Sequence, residues 1–119
     1  MKTTEESMGI NEYQQLALRT ESHDYTCDNP RLLQGLMGLN SESGEALDIL
    51  KKHLFHGHWI DKVHLAKELG DVAWYLAISA DALGYKLEDI FKMNVEKLQK
   101  RYPEGFDSER SMNRAKGDI

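Results

Sequence analysis

Residues 62–83 of the chain, KVHLAKELGDVAWYLAISADAL, decide the fold class. Apolar side chains recur there every third or fourth position, which is the period of an α-helix, and no proline interrupts them. Asp61 precedes the segment and suits a helix N-cap, whereas Gly84 follows it and suits a helix end. The segment therefore predicts a long helix rather than a strand.

The same criteria predict three further helices, near 10–20, 30–55 and 87–102. Asn29-Pro30 suits the start of the second, with asparagine as N-cap and proline at the first helical position. No segment alternates apolar and polar residues for long enough to demand a strand. We expect an all-α fold, a four-helix bundle-like unit forming a single domain over 1–119 with its core at about 9–106.

The predicted third helix is apolar on two sides, with Val72 and Leu76 on one and Trp74 and Ile78 on the other. A helix of this kind is normally covered on both sides. One small four-helix unit leaves part of that surface exposed, and an exposed apolar patch indicates a partner. We therefore expect a homo-oligomer.

Composition excludes several classes of function. The chain has 20 acidic and 15 basic residues and a net charge of −5, which argues against a nucleic-acid binder. Its one cysteine, Cys27, cannot form an intrachain disulfide and fits a reducing compartment. No apolar run resembles a signal peptide or a membrane span. We expect a cytoplasmic protein without membrane or nucleic-acid partners.

Two short strings carry the candidate chemistry, Glu42-Ser43-Gly44-Glu45 and Glu68-Leu69-Gly70-Asp71. Each places two carboxylates three residues apart, on one helix face and about 5–6 Å apart at Cβ. If the two helices pack antiparallel, the four carboxylates converge, and their repulsion is tolerable around a multivalent cation. Oxygen ligands without thiolate or imidazole suit Mg²⁺, with Mn²⁺ as a substitute. Glu42, Glu45, Glu68 and Asp71 are the predicted metal ligands and catalytic residues.

Small and polar residues near these acids suggest a substrate. Gly35 and Gly38 lie on nearly the same side as Glu42, leaving room for a ligand or for a close helix approach. Asn94 interrupts an apolar stripe, so its amide needs a partner. The remaining candidates are Lys97, Arg101 and Lys51, which are cationic, and Tyr75, which shares the carboxylate flank. A metal cluster with neighbouring cations is what a polyphosphate needs.

Longer stretches resemble a known family. Residues 42–48 (ESGEALD), 67–76 (KELGDVAWYL) and 94–103 (NVEKLQKRYP) are similar to the motifs of the all-α nucleoside triphosphate pyrophosphohydrolases, with the MazG-like branch nearest. The resemblance covers about Leu32 to Phe106. Phosphoribosyl-ATP pyrophosphohydrolases carry an extra Glu ahead of each acidic pair, and Ser41 and Lys67 stand there in this chain. That branch is therefore disfavoured.

The resemblance implies a dimer or tetramer that hydrolyses a nucleoside triphosphate to the monophosphate and pyrophosphate. The four acids would hold one or two Mg²⁺ ions, and Glu45 is our hypothesis for the general base. The family's nucleotide contacts correspond to Asn94 and Lys97, and further to Arg101 and Tyr102.

Three alternatives compete with this hypothesis. A di-iron centre needs Glu-x-x-His pairs, which the two acidic strings lack. A zinc site at His53, His56 and His58 has no nearby cysteine or acid to complete it. A non-enzymatic helical oligomerisation or adaptor module remains the alternative function. The preferred base and sugar stay open.

Overall fold

The computed structural model describes residues 5–26 and 30–119. Over these ranges the regular structure consists of α1 Ile10–Leu18, α2 Arg31–Phe55, α3 Lys62–Ala82, α4 Leu87–Arg101 and α5 Ser108–Met112. The all-α prediction is confirmed, and α1 to α4 begin and end within two residues of the predicted bounds. The sequence had not predicted α5, and the predicted cap Asn29 lies outside the described residues. None of the helices within the described ranges combines the length and apolar character needed to cross a bilayer.

The chain divides into two compact units, Met1–Leu87 and Glu88–Ile119. The first contains α1, α2 and α3, and the second contains α5 and all of α4 after its first residue. The single domain expected from the chain length remains a prediction.

The ends of α3 are fixed by local hydrogen bonds. The Asp61 side chain accepts from the His64 N–H at 2.9 Å, which makes it the predicted N-cap. At the other end Gly84 has a φ of 85°, a left-handed conformation that glycine adopts without strain. The Tyr85 N–H donates to the Ala80 carbonyl and the Gly84 N–H to the Asp81 carbonyl, both at 2.9 Å. This is a Schellman motif, and Gly84 ends the helix as predicted.

Two glycines of α2 allow it to approach α3 closely. A Cβ at Gly35 would overlap the Ser79 hydroxyl, and a Cβ at Gly38 would overlap the Tyr75 ring. From Gly35 to Gly38 the chain of α2 advances, whereas the contacted residue of α3 changes from Ser79 to Tyr75, which comes earlier in the chain. The two helices are therefore antiparallel. Of the two explanations for the glycines, the structure shows the close helix approach.

Leucines at helical spacing, at positions 32, 36, 39, 47, 50 and 54, form a stripe along α2, and most of this leucine stripe is exposed. Leu36, Leu47 and Leu54 are 54%, 65% and 61% exposed. The glycine flank packs instead, because residues without side chains let the two backbones approach. The leucines are left as an apolar surface on the first unit.

A buried amide anchors α1 to the end of α3. The Gln14 Nε2 group donates to the carbonyls of Ala77, at 3.3 Å, and Tyr85, at 3.1 Å. Its Oε1 accepts from the Leu87 N–H at 2.9 Å. One side chain thereby satisfies three backbone groups that would otherwise be costly to bury.

A second anchor joins the chain after α1 to both long helices. Arg31 donates to both Glu21 oxygens, at 2.8 and 2.9 Å, and to Asp81 at 2.7 Å. The Tyr25 hydroxyl also donates to Glu21 at 3.0 Å. The Glu21 side chain is only 1% exposed, and the hydrogen bonds from Arg31 lower its pKa. The carboxylate therefore stays ionised in a site that would otherwise favour its neutral form.

We predict that Gly38→Ala and Gly44→Ala change stability in opposite directions. The first places a methyl group into the Tyr75 ring and should cost about 1–3 kcal/mol of unfolding free energy. The second adds a methyl group where nothing lies within 4 Å, and it should stabilise the helix by about 0.5–1 kcal/mol. Urea unfolding of the metal-free protein measures both values. Equal shifts in the two variants would contradict the close packing at Gly38.

Candidate active site

Three of the four predicted acids lie together. Glu42 of α2 and Glu68 and Asp71 of α3 each present a carboxylate oxygen, and these oxygens lie within 4.8 Å of one another. Glu42 and Glu68 are half-buried and Asp71 is exposed. The antiparallel register places them there, since Glu42 follows Gly38 by one helical turn and Asp71 precedes Tyr75 by one. We call these three residues the acidic trio.

Glu45 stands outside the acidic trio. It lies one turn beyond Glu42 on α2 and is exposed. Its negative charge nevertheless acts on Glu42 and contributes to raising the pKa of that carboxyl. Glu45 is thus close enough to interact electrostatically with Glu42, although it is not part of the acidic trio.

The electrostatics of the acidic trio favour a cation. Burial raises the pKa of Glu42 most, and a hydrogen bond with Glu68 and the negative charges of Asp71, Glu45 and Glu68 raise it further. Each effect penalises the ionised form, as expected for acids crowded without a counter-charge. The donor atoms are all carboxylate oxygens, which fit Mg²⁺ or Mn²⁺.

Two further side chains adjoin the acidic trio and were not predicted. The His64 Nε2 atom lies 3.2 Å from the Glu68 Oε1 atom. Burial and the negative charge of Asp71 raise the pKa of the Tyr13 hydroxyl. The four-residue spacing from His64 to Glu68 could have revealed the first contact. Nothing in the sequence pairs Tyr13 with Asp71.

Tyr75 lies against Gly38 and lines an open groove. Its ring meets the Trp74 ring edge-on, with 4.9 Å between centroids. The groove has a volume of about 400 Å³ and is lined by Pro30, Leu33, Gln34, Met37, Gly38, Ser41 and Tyr75. Of its lining residues, Ser41 directly precedes Glu42 on α2 and Tyr75 lies one turn after Asp71 on α3, so the groove adjoins the acidic trio.

Lys51 is not brought to the acids. It follows Glu42 by nine residues, about 180° around the helix. Its Nζ atom pairs with Asp48 at 2.7 Å, and Lys52 pairs with the same carboxylate at 3.0 Å. Hydrogen bonds from these two lysines lower the pKa of Asp48 to about 2. A role for Lys51 in substrate binding remains a prediction.

The other predicted substrate residues belong to the second unit. Asn94, Lys97 and Arg101 share one side of α4, since they are spaced by three and four residues. Arg101 donates to both Asp118 oxygens, at 2.9 and 2.7 Å. The Tyr102 ring packs against Phe106 at 5.4 Å.

The partner expected for the Asn94 amide remains a prediction. Asn94 is exposed, and Phe91 and Leu98 of the same stripe are 37% and 43% exposed. Its amide is therefore open to water or to a ligand.

Within the described ranges, the histidines near the end of α2 do not belong to a group whose ligand atoms lie close enough together to hold an ion. The His53 Nδ1 atom lies 2.8 Å from the His58 carbonyl oxygen, which supports the turn at Gly57. Among the described residues, the acidic trio is the group of three whose ligand atoms are close enough to hold an ion.

Comparison with known families agrees with this geometry. The model of the MazG nucleotide pyrophosphohydrolase domain matches residues 32–106, more than half of the chain. The chain belongs to this family. The match includes the acidic trio, Glu45, and all of the substrate-binding candidates.

Two relatives extend the comparison. The Gene 37 protein of Mycobacterium phage L5 is 36% identical over 87 residues, covering 66% of this chain and 74% of the relative. YvdC of Bacillus subtilis (strain 168) is 49% identical over 41 residues, which span 34% of this chain and 39% of YvdC. No solved structure matches the chain. Since neither name states a reaction, the activity of this MazG-family chain is argued from its own residues.

We predict that Glu42→Gln stabilises the metal-free protein and weakens its response to Mg²⁺. The substitution removes a charge that its neighbours disfavour, and it also removes a ligand. Differential scanning calorimetry with and without MgCl₂ measures both effects, and at a hundred times Kd the cation should stabilise the wild type by about 2.7 kcal/mol.

Glu104→Gln is the matched control, because Glu104 is exposed and lies in the second unit. It should respond to Mg²⁺ as the wild type does. Equal stabilisation of Glu42→Gln and the wild type by Mg²⁺ would rule out Glu42 as a ligand.

Proposed function

We propose that this MazG-family chain hydrolyses a nucleoside triphosphate to the monophosphate and pyrophosphate in a magnesium-dependent reaction, with a role in clearing unwanted nucleotides. The acidic trio carries the proposal, because three carboxylates that each offer an oxygen within 4.8 Å of the others provide the hard ligands that Mg²⁺ prefers. Family membership supports the same class of reaction.

The trio would hold the cation through Glu42, Glu68 and Asp71. A bound Mg²⁺ would supply Lewis-acid chemistry. It would withdraw charge from phosphate oxygens and lower the pKa of water, so that the deprotonated water can attack phosphorus. His64 contacts the Glu68 carboxylate and would help to orient it toward the cation.

Glu45 is the predicted fourth ligand and also the predicted proton acceptor. Its exposed position outside the acidic trio favours the second role. A carboxylate that is not engaged by the cation keeps a lone pair for the proton of the attacking water. Attack on the α-phosphorus then breaks the bond to the β-phosphate and releases pyrophosphate.

The substrate is held by groups of two kinds. Lys97 and Arg101 carry the positive charge that phosphate oxygens need, and Asn94 and Tyr102 contact the rest of the nucleotide. In the first unit, the groove beside Tyr75 suits a flat nucleobase, since its lining is mostly apolar with Gln34 and Ser41 as polar groups.

Turnover is tested with a panel of ribo- and deoxyribonucleoside triphosphates, with pyrophosphate detection in the presence and absence of Mg²⁺. We expect pyrophosphate release with Mg²⁺ only, and a loss of about 10²-fold or more in kcat for Glu68→Gln. Glu104→Gln should retain wild-type turnover. Circular dichroism verifies that each variant stays helical.

Two results would overturn the assignment. One is near-wild-type turnover by Glu68→Gln, and the other is release of orthophosphate in place of pyrophosphate. A folded chain that turns over no nucleotide in the panel would favour the adaptor function instead.

The exposed leucines of α2 support self-association into a homodimer or homotetramer. A row of exposed leucines on a small unit is an apolar surface that a partner normally covers. A second copy of the chain offers the same surface, as a symmetric interface requires.

We predict that the wild type sediments as a dimer or tetramer and that Leu47→Glu shifts it to smaller species. Leu47 is 65% exposed, so a charge there disturbs an interface more than the fold. Met112→Glu in α5 is the control, because Met112 is also exposed but lies far along the chain from α2. A monomeric wild type in sedimentation equilibrium would contradict the proposal.

A further inference from the structure

The second unit encloses a cationic cavity between α4 and the chain that follows α5. Its volume is about 640 Å³. Its basic lining residues are Lys97, Lys100, Arg101, Arg110, Arg114 and Lys116. The acidic lining residues are Glu96 and Asp118. A concave surface with this excess of positive charge attracts anions.

Asp118 lies where the cations of this cavity converge. Both of its oxygens accept from the Arg101 guanidinium, at 2.9 and 2.7 Å, and the two side chains are only 11% and 17% exposed. The hydrogen bonds from Arg101 lower the pKa of Asp118 most, and the charges of Arg114 and Lys97 lower it further. The Asp118 N–H donates to the Ala115 carbonyl at 3.0 Å, which fixes the turn that presents the carboxylate.

A carboxylate and a phosphate group are recognised by the same chemistry. The guanidinium fork bonds two oxygens of either group. A phosphate group also has a third oxygen and more negative charge, so it can engage Lys97 and Arg114 at the same time as Arg101. Asp118 therefore occupies the position that an incoming phosphate group would take.

We propose that Asp118 is an internal competitor for phosphate: the cavity binds a phosphate group of a polyphosphate through Arg101, Lys97 and Arg114, and Asp118 must leave Arg101 for this to happen. The inference rests on the proposed function, which assigns substrate phosphates to Lys97 and Arg101. It adds Arg114 as a phosphate contact and gives the chain after α5 a regulatory role. Phosphate binding and the Arg101–Asp118 pair exclude each other.

Calorimetric titration with inorganic pyrophosphate, without divalent metal and at fixed ionic strength, tests the competition. Asp118→Asn should bind pyrophosphate about five-fold more tightly, because an amide competes weakly for the guanidinium. Arg114→Gln should bind it about five-fold more weakly. Glu104→Gln and Lys92→Gln make the same charge changes at exposed positions that do not line the cavity, and should bind as the wild type does.

Hydrogen exchange on the wild type provides a second measurement, which does not depend on how Asp118→Asn folds. Pyrophosphate should accelerate exchange of the Asp118 amide, since displacement of the carboxylate opens its hydrogen bond to Ala115. An unchanged or slower exchange would overturn the proposal. So would equal affinities of Asp118→Asn and Glu104→Gln, or an absence of pyrophosphate binding in all variants.

The two proposals fail separately. If no nucleoside triphosphate is hydrolysed but pyrophosphate binds in the expected order, the proposed function is wrong and the competition stands. If hydrolysis depends on Mg²⁺ and on Glu68 but Asp118→Asn has no effect on pyrophosphate binding, only the competition is wrong.

Discussion

The approach of α2 to α3 at Gly38 is the constraint on which the rest of the first unit depends. The Tyr75 ring lies where a side chain at this position would be, so only glycine permits the observed distance between the helices. Glu42 stands one turn beyond Gly38, and Asp71 stands one turn before Tyr75. A wider separation of the helices would move the Glu42 carboxylate away from those of Glu68 and Asp71, and the three could no longer share one cation. The glycine is therefore part of the candidate site although it has no functional group.

This close approach has energetic costs that other parts of the unit offset. The Ser79 hydroxyl is buried against Gly35 and has no hydrogen-bond partner among the described residues. The crowded acids raise the pKa of Glu42. Opposing these costs, Gln14 satisfies three backbone groups at the end of α3, and Arg31 joins Glu21 to Asp81. The anchors lie away from the acids, so the site is held in an unfavourable arrangement by contacts that do not take part in it.

The sequence predicted what local periodicity determines and failed where the fold depends on contacts between elements. The caps at Asp61 and Gly84 and the bounds of α1 to α4 follow from short-range chemistry. The face of α2 that packs against α3 does not follow from short-range chemistry. A helical period shows which residues share a face but not which face meets a neighbouring helix. A stripe of leucines at helical spacing is the usual pattern of a buried face, whereas glycines can pack more closely than leucines. A five-residue helix such as α5 has no period to detect, and its main sign is the Asp107 side chain, which accepts from the Glu109 N–H at 2.9 Å.

The candidate site was also predicted only in part. Spacing predicted that Glu42, Glu68 and Asp71 would share one location, since helical turns and an antiparallel pair suffice for that. It did not separate Glu45 from them, because a three-residue spacing does not show that Glu45 is exposed and stands outside the acidic trio. Lys51 follows the acids in sequence but lies on the other side of the helix, where Asp48 pairs with it. Sequence proximity to a site predicts participation only when the helical angle agrees.

The charges of the chain show how an acidic protein can handle an anionic substrate. With a net charge of −5, the chain as a whole repels phosphates. The first unit concentrates negative charge where only a cation relieves it, which converts repulsion into affinity for a metal–phosphate complex. The second unit gathers cations around one carboxylate, and Asp118 pairs with the Arg101 guanidinium that a phosphate group would need. Both arrangements keep the unliganded protein from binding anions indiscriminately, because each requires a particular partner before its charge becomes available.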